Sequence, residues 1–221
     1  TLGKSKQWTS SGSSIPFLVT MICLGCSSMG SERIRAATSK AVFHFANCEL
    51  LPSRNTRVDN LQEQLTRARI EDKDGSIVGV VTAPTINSTW WATRGGGAFY
   101  NGHQIHCNDP IALDRSLIAT GFQYDVSHRI SQLEDFAKLV PIVRDLRRNG
   151  AAAVDLCHVA MGALDGYYEA GLKEWDWAAG ALVATEAGAT FKHYGQGPMR
   201  ISMAAGPSLH SQLEAHLGFL A

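Results

Sequence analysis

No apolar run in this chain reaches the ~18 residues that a membrane-crossing helix requires. The nearest, Ile15 to Cys26, is shorter and is interrupted by Pro16 and Gly25. No acidic residue precedes Glu32, and charged residues of both signs make up only 18% of the 221 positions. Lys plus Arg equals Asp plus Glu at 20 each, and a pI near 7.0 leaves no basic footprint for a nucleic acid. Cysteine is scarce and odd in number: five residues, widely spaced. That argues against a disulfide framework and for a reducing, cytoplasmic setting. Three motifs are missing as well: G-x-G-x-x-G, the Walker loop and G-x-S-x-G. Their absence removes support for dehydrogenase, kinase and serine-protease chemistry. There is no internal repeat and no long low-complexity tract.

What is present reads as a globular chain: 45% hydrophobic residues, long enough to bury one substantial core. Its most informative segment is LDGYYEAGLKEWDWAAGALVATEAGA, Leu164 to Ala189. Glu169 stands seven residues before Asp176, and small or apolar residues at Ala179, Leu182, Val183 and Ala187 follow at helical spacing. Asp176 therefore reads as the N-cap or first-turn residue of a tightly packed helix. A carboxylate there has two uses. It can satisfy unpaired backbone N–H groups, or it can hold a cation in a cleft at the end of a sheet.

Alternation and turn residues predict strands over Ile77–Thr82, Trp90–Thr93, Ala98–Tyr100, Ser116–Gly121, Ala163–Glu169, Thr190–His193 and Arg200–Ala204. Helices are predicted over Glu134–Arg144, bent by Pro141, over Ala152–Met161, from Asp176, and from Pro207 through Leu217. Helices between strands imply an α/β fold with a mixed sheet and helices on its faces. Asp74-Gly75 between two extended runs reads as a hairpin turn. Gly95-Gly96-Gly97 also reads as a turn, since it lacks the following helix and the Lys of a phosphate cradle. His158 is expected to pack on an apolar helix, and Trp90, Trp91, Trp175 and Trp177 to pack in the core or at its rim. Arg147 and Arg148 suit a salt bridge or subunit contact, with anion binding as the alternative.

Several ordered blocks resemble the inositol monophosphatase family, Mg²⁺-dependent phosphomonoesterases. They are VVTAPTINSTWWATRGGGAFYNGHQIH, SLIATGFQYDV, LRRNGAAA and GAAAVDLCHVAMGALDGYYEAGLKEWDWAAGALVATEAGA. The likeness runs from about residue 71 to 221. It implies a layered αβαβα sandwich, with the N-terminal half incomplete or atypical in this chain. It further implies a site shared between two halves, two or three Mg²⁺ ions, and a small phosphorylated polyol as substrate. A homodimer is implied in the same way. By position, Asp176 matches a metal-ligating aspartate and Glu169 the acceptor of substrate hydroxyls. The backbone of Gly150, Ala151 and Ala152 matches the turn lying against the sugar ring. Relatives often carry Ser or Thr at Ala151, so a hydroxyl contact is expected to be lost. Asp155 matches a position that supports packing. The YEAGLKEWD run is closer to inositol-type members than to the histidinol-phosphate type, which stays an alternative.

The departure lies upstream. Residues 1–70 contain neither D-P-[IL]-D-G-T nor a preceding G-E-E, the family's main metal motifs. No residue for water activation is identified. The same segment carries nine Lys or Arg against four Asp or Glu, a net of +5 in a chain that sums to zero. It reads as an atypical basic leader ahead of a family-like region, 71–221, with a helix-like stretch, SERIRAATSKAVFHFANCELL. Four readings of it stay open. It is a lipid-anchoring leader ending at Cys26, an organellar transit peptide, a zinc knuckle from Cys23, Cys26, His44 and Cys48, or the sign that the true N-terminal half is missing or misread through a truncation, a frame change or an unusual splice. The chain begins at Thr1, so removal of an upstream piece belongs with the last. Function follows from the departure. The chain is expected to be an impaired phosphatase of this family, or a non-catalytic relative serving as a binding or dimer-partner module.

Overall fold

The computed structural model describes the backbone of residues 7–8, 41–47, 66–72 and 74–217, and the side chains of 69–71 and 74–217. Seven strands form one antiparallel meander in chain order: β1 (Gln7–Trp8), β2 (Ala41–Asn47), β3 (Thr66–Asp72), β4 (Gly75–Ala83), β5 (Ser88–Thr93), β6 (Gly97–Tyr100) and β7 (His103–Ile105). The β3–β4 turn contains the expected Asp-Gly pair, with Gly75 at φ +108°, a conformation glycine adopts at low cost. The helix expected across SERIRAATSKAVFHFANCELL is corrected over Ala41–Asn47, which is strand β2 paired with β3. Val42, Phe43 and Phe45 favour the extended chain, and the ladder offered by β3 outweighs any helical preference. The rest of that stretch, with Cys23, Cys26 and Cys48 of the zinc reading, lies outside the described residues.

The second sheet is mixed. It contains β8 (Leu117–Thr120), β9 (Asp145–Arg147), β10 (Gly166–Ala170), β11 (Thr190–Tyr194) and β12 (Ile201–Ala205), in the order β11-β12-β10-β8-β9. β9, β8 and β10 run parallel, and β12 and β11 are antiparallel to their neighbours. Among the described residues the α-helices are α1 (Val126–Leu139), α2 (Ala152–Ala160), α3 (Glu174–Glu186) and α4 (Pro207–Leu217).

Residue alternation along the second sheet builds two cores. Ala119, Tyr167 and Ala204 face α2, α3 and the first sheet, packing with Leu156, Val183, Val81 and Trp90. Their neighbours Ile118, Tyr168 and Met203 point the other way, onto Leu139 of α1 and Leu209 and Leu213 of α4. The layers are thus sheet, helices, sheet, helices. Among the described residues no helix forms the first layer of the expected αβαβα order. Among the described residues no helix is long and apolar enough to cross a membrane.

Two boundaries move. The helix expected at Glu134–Arg144 is α1, Val126–Leu139. It starts where the Asp125 carboxylate accepts the Ser127 N–H at 2.9 Å, and it stops before the residue preceding Pro141, where a proline disfavours helix. The strand expected from Ala163 begins at Gly166. Asp165, just before it, is buried, and its carboxylate accepts the Leu117 N–H and the Asn108 side-chain N–H, each at 2.7 Å. Two short polar strands, β7 and β9, carried too little alternation to be read.

Candidate functional site

The parallel strands β8, β9 and β10 all end on one side of the second sheet, the place where open α/β sheets present a crevice. Gly121 follows β8, Arg148 to Gly150 follow β9, and Glu169 is the penultimate residue of β10. Glu169 and Tyr167 lie on the same face by strand alternation, and the Tyr167 hydroxyl donates to Glu169 Oε2 at 2.7 Å. Gly121 explains how the carboxylate fits: a Cβ there would sit 2.1 Å from Glu169 Oε2. A larger residue at this point would push the Glu169 carboxylate aside.

Burial raises the Glu169 carboxyl above the usual carboxylate range. The Tyr167 hydrogen bond and the Arg148 charge oppose that rise, and the Asp176 charge adds to it. Asp176 is therefore within electrostatic range of Glu169. It is a first-turn residue of α3, not its N-cap; Lys173 holds that position. Asp176 Oδ2 accepts the Lys173 N–H at 3.1 Å, while its own N–H reaches the Lys173 carbonyl at 2.9 Å. The helix start is further tied to β3, because Arg69 pairs with Glu174 at 2.9 Å and with Glu71 at 2.6 Å.

The turn before α2 forms the third side. Gly150 adopts φ +84°, and Ala151 is the N-cap of α2 with no side-chain cap. Ala151 and Ala152 are both buried, so this edge is apolar backbone without a hydroxyl. Asn149 donates to Asp155 Oδ1 at 2.6 Å and so pins the turn to the helix. Asp155 is 1% exposed. Burial pushes its carboxyl up to about 7, the Asn149 hydrogen bond acting downward and the Glu169 charge upward. Packing alone does not describe this residue, which carries a titrating group beside the site. Its place as an acid on a largely apolar helix, AAVDLCHVA, was the signal available. Arg148 joins the site through its charge on Glu169, whereas Arg147 pairs with Asp145.

The other tempting side chains pack. His158 sits edge-on to Trp90 at 5.7 Å, and burial lowers its pKa. Trp91 stacks on Phe99 and Trp177 on Phe191. Trp175 instead stands 61% exposed beside Asp176. The Gly95–Gly97 turn binds a carboxylate of the protein itself: Glu186 accepts the N–H groups of Gly95 and Gly97 at 2.9 and 3.0 Å.

A Mg²⁺ ion takes several hard oxygen ligands in octahedral order. Among the described residues no group of three or more His, Cys, Asp or Glu side chains converges to hold one. Glu169 is engaged by Tyr167, and an Asp155 carboxyl near neutral pKa is a poor anion for a cation. The described residues gather no such set around Asp176. What they do build is a desolvated hydrogen-bond acceptor, Glu169, flanked by a cation, Arg148, and an apolar backbone edge. That arrangement suits a ring bearing hydroxyls and an anionic group.

The sequence model of the inositol monophosphatase family matches residues 70–219. The inositol-1-monophosphatase SuhB of Mycobacterium tuberculosis is 45% identical over 118 residues, which cover 52% of this chain and 41% of that protein. The inositol-1-monophosphatase of a Synechocystis species is 36% identical over 153 residues, covering 66% and 52%. Among solved structures, Mycobacterium tuberculosis SuhB superposes with a TM-score of 0.65 at 38% identity, covering 70% of this chain and 63% of that one. The chain spans about half the length of these curated relatives, 41% and 52%.

Proposed function

The chain belongs to the inositol monophosphatase family, and from that premise we propose that it binds a small phosphorylated polyol, inositol monophosphate foremost. We further propose that it is impaired as a Mg²⁺-dependent phosphatase. The observation that supports this reading is Glu169 near the end of a parallel strand, within range of the Asp176 charge at the start of α3, without D-P-x-D-G-T among residues 1–70. The substrate-facing half is kept; the half that supplies most metal oxygens is not found. Arg148 and Glu169 would orient the ring, and the Gly150–Ala152 backbone would lie against its apolar face. Where hydrolysis is wholly lost, the same site serves a binding or dimer-partner module, and the family likeness supports a second copy as partner. Cys107 and Cys157, both unpaired, support a reducing, cytoplasmic setting.

Phosphate release from inositol 1-phosphate with Mg²⁺ is expected at background for the chain as it stands. Turnover well above background that disappears in Asp176→Asn would overturn the impairment. Binding is read separately, by calorimetry with myo-inositol 1-phosphate. It is expected to weaken roughly tenfold or more in Glu169→Gln, the cost of a lost charged acceptor. No binding by the parent chain would end the polyol reading.

A further inference from the structure

The loop between β8 and α1, residues 121–125, meets the end of β10 by a reciprocal exchange of long side chains and glycines. Glu169 lies against Gly121, where a Cβ would sit 2.1 Å from its Oε2. Two residues further along each segment the roles reverse. Gln123 lies against Gly171, where a Cβ would sit 2.6 Å from Gln123 Nε2. Gly171 also holds φ +78°, so a side chain is disfavoured there by backbone and by space. Gln123 Nε2 donates to the Ala170 carbonyl at 2.7 Å. The N–H of the same peptide link, that of Gly171, donates to the Arg200 carbonyl at 3.0 Å. The backbone just after Glu169 is therefore held from two sides. Arg200 holds one, and the Gln123 side chain holds the other, beyond Thr120, the last β8 residue paired with β10.

Gln123 is itself fixed by α1. Its N–H donates to Gln132 Oε1 at 2.9 Å, and its carbonyl accepts from Arg129 Nε at 2.7 Å. Gln132 is only 9% exposed, in the middle of the helix, with its Nε2 3.5 Å from the Gly121 carbonyl. A buried amide is unfavourable unless its oxygen and nitrogen find partners, and here both turn to the loop. An apolar side chain would fill that place on α1 without the penalty, so the Gln132 amide serves the loop rather than the core.

We infer that Gln123 is a positioning residue for the polyol acceptor, holding the Glu169 carboxylate beside Gly121 so that it meets ring hydroxyls in one orientation. The inference rests on the polyol reading of the site and adds a residue that acts through the backbone after Glu169. Recognition by hydrogen bonds needs its groups held to within about 0.5 Å by their surroundings. Without the Gln123 donor, the Ala170 carbonyl loses a partner and the end of β10 gains freedom that binding must then remove. Arg148 stands on a different loop, after β9, and does not depend on this clamp. Hydroxyl recognition and anion binding are thus separable.

Calorimetry of the full chain with two probes uses that separation. Myo-inositol 1-phosphate carries ring hydroxyls; cyclohexyl phosphate keeps the ring and the anion without them. Gln123→Met keeps the length of the side chain and removes its donor. It is expected to weaken myo-inositol 1-phosphate by roughly fivefold, as for one lost hydrogen bond, and cyclohexyl phosphate by less than about twofold. Gln132→Met reaches the same clamp from α1 and is expected to shift the ratio of the two affinities in the same direction. It carries the test if circular dichroism shows Gln123→Met unfolded. Equal weakening of both probes assigns the clamp to general stability, and unchanged binding of both leaves Glu169 held without it. Either result overturns the inference while the polyol reading stands. A parent chain that binds neither probe, or binds both equally, ends that reading and the inference with it.

Discussion

Asp155 shows how far one side chain departs from what its sequence position suggests. An acid in the first turn of a helix is ordinarily a solvated partner for the helix dipole. Here it is sealed between α2 and the second sheet, with Asn149 as its donor and its carboxyl pushed up to about 7. The folded state therefore binds this proton more tightly than the unfolded state does. The resulting stability is fully present below the unfolded value of about 3.9, and it is lost as pH rises to about 7. Glu169, raised by burial, acts in the same direction. Asparagine at 155 cannot ionise and keeps an oxygen for Asn149. Asp155→Asn is thus expected to flatten the loss of stability between about pH 4 and pH 7, and to be more stable than the parent by roughly 2–4 kcal/mol at about pH 8. Urea denaturation across that range checks it, and equal stability at the alkaline end would remove the buried-charge argument. Glu169 and Asp176 were singled out in the sequence by their spacing and family position. Asp155, Tyr167 and Gly121 were not, because their roles arise where three strands meet, and no local pattern records that meeting.

At the scale of elements, α3 is the helix that both sheets depend on. It is apolar on nearly every side, with Ala178, Ala179, Gly180, Ala181, Val183 and Ala184 buried, because it lies between two sheets rather than on one. Close approach needs small residues. A Cβ on Gly79 of β4 would meet the Ala179 carbonyl oxygen at 2.8 Å, and one on Gly180 would meet Leu156 Cβ at 2.9 Å. Its two ends are fastened by charge: Glu174 to Arg69 at the start, and Glu186 to the Gly95 and Gly97 N–H groups at the finish. The second tie joins the end of the helix to the β5–β6 turn. Glu186→Ala is expected to cost roughly 1–3 kcal/mol and to speed amide exchange at Gly95 and Gly97, while α3's first turn stays protected. Unchanged exchange there would mean that the turn holds itself. The helix was read from its small-residue run, and the Gly-rich segment was read as a turn. The carboxylate joining them spans 91 residues of chain, a contact that periodicity does not encode.

For the whole molecule, alternation along strands and helical spacing implied an α/β fold with helices on a mixed sheet, while the layered order came from the family resemblance. Residues 1–70 offered no comparable pattern, so neither β2 nor β3 was foreseen. The same boundary decides the chemistry. A hydrated Mg²⁺ yields its water only to several oxygens held in near-octahedral order, and one carboxylate gives up little more than a point charge. With Asp176 as the sole candidate ligand from 71–221, calorimetric titration of the chain with Mg²⁺ is expected to show dissociation constants weaker than about 1 mM, changed less than about threefold by Asp176→Asn. Micromolar binding that collapses in Asp176→Asn would require the missing oxygens to come from the basic segment 1–70, whose acids are Glu32, Glu49, Asp59 and Glu63. Glutamine or asparagine at each of those four in turn would then identify the ligands, and a phosphatase site built from a different N-terminal half would replace the impaired one.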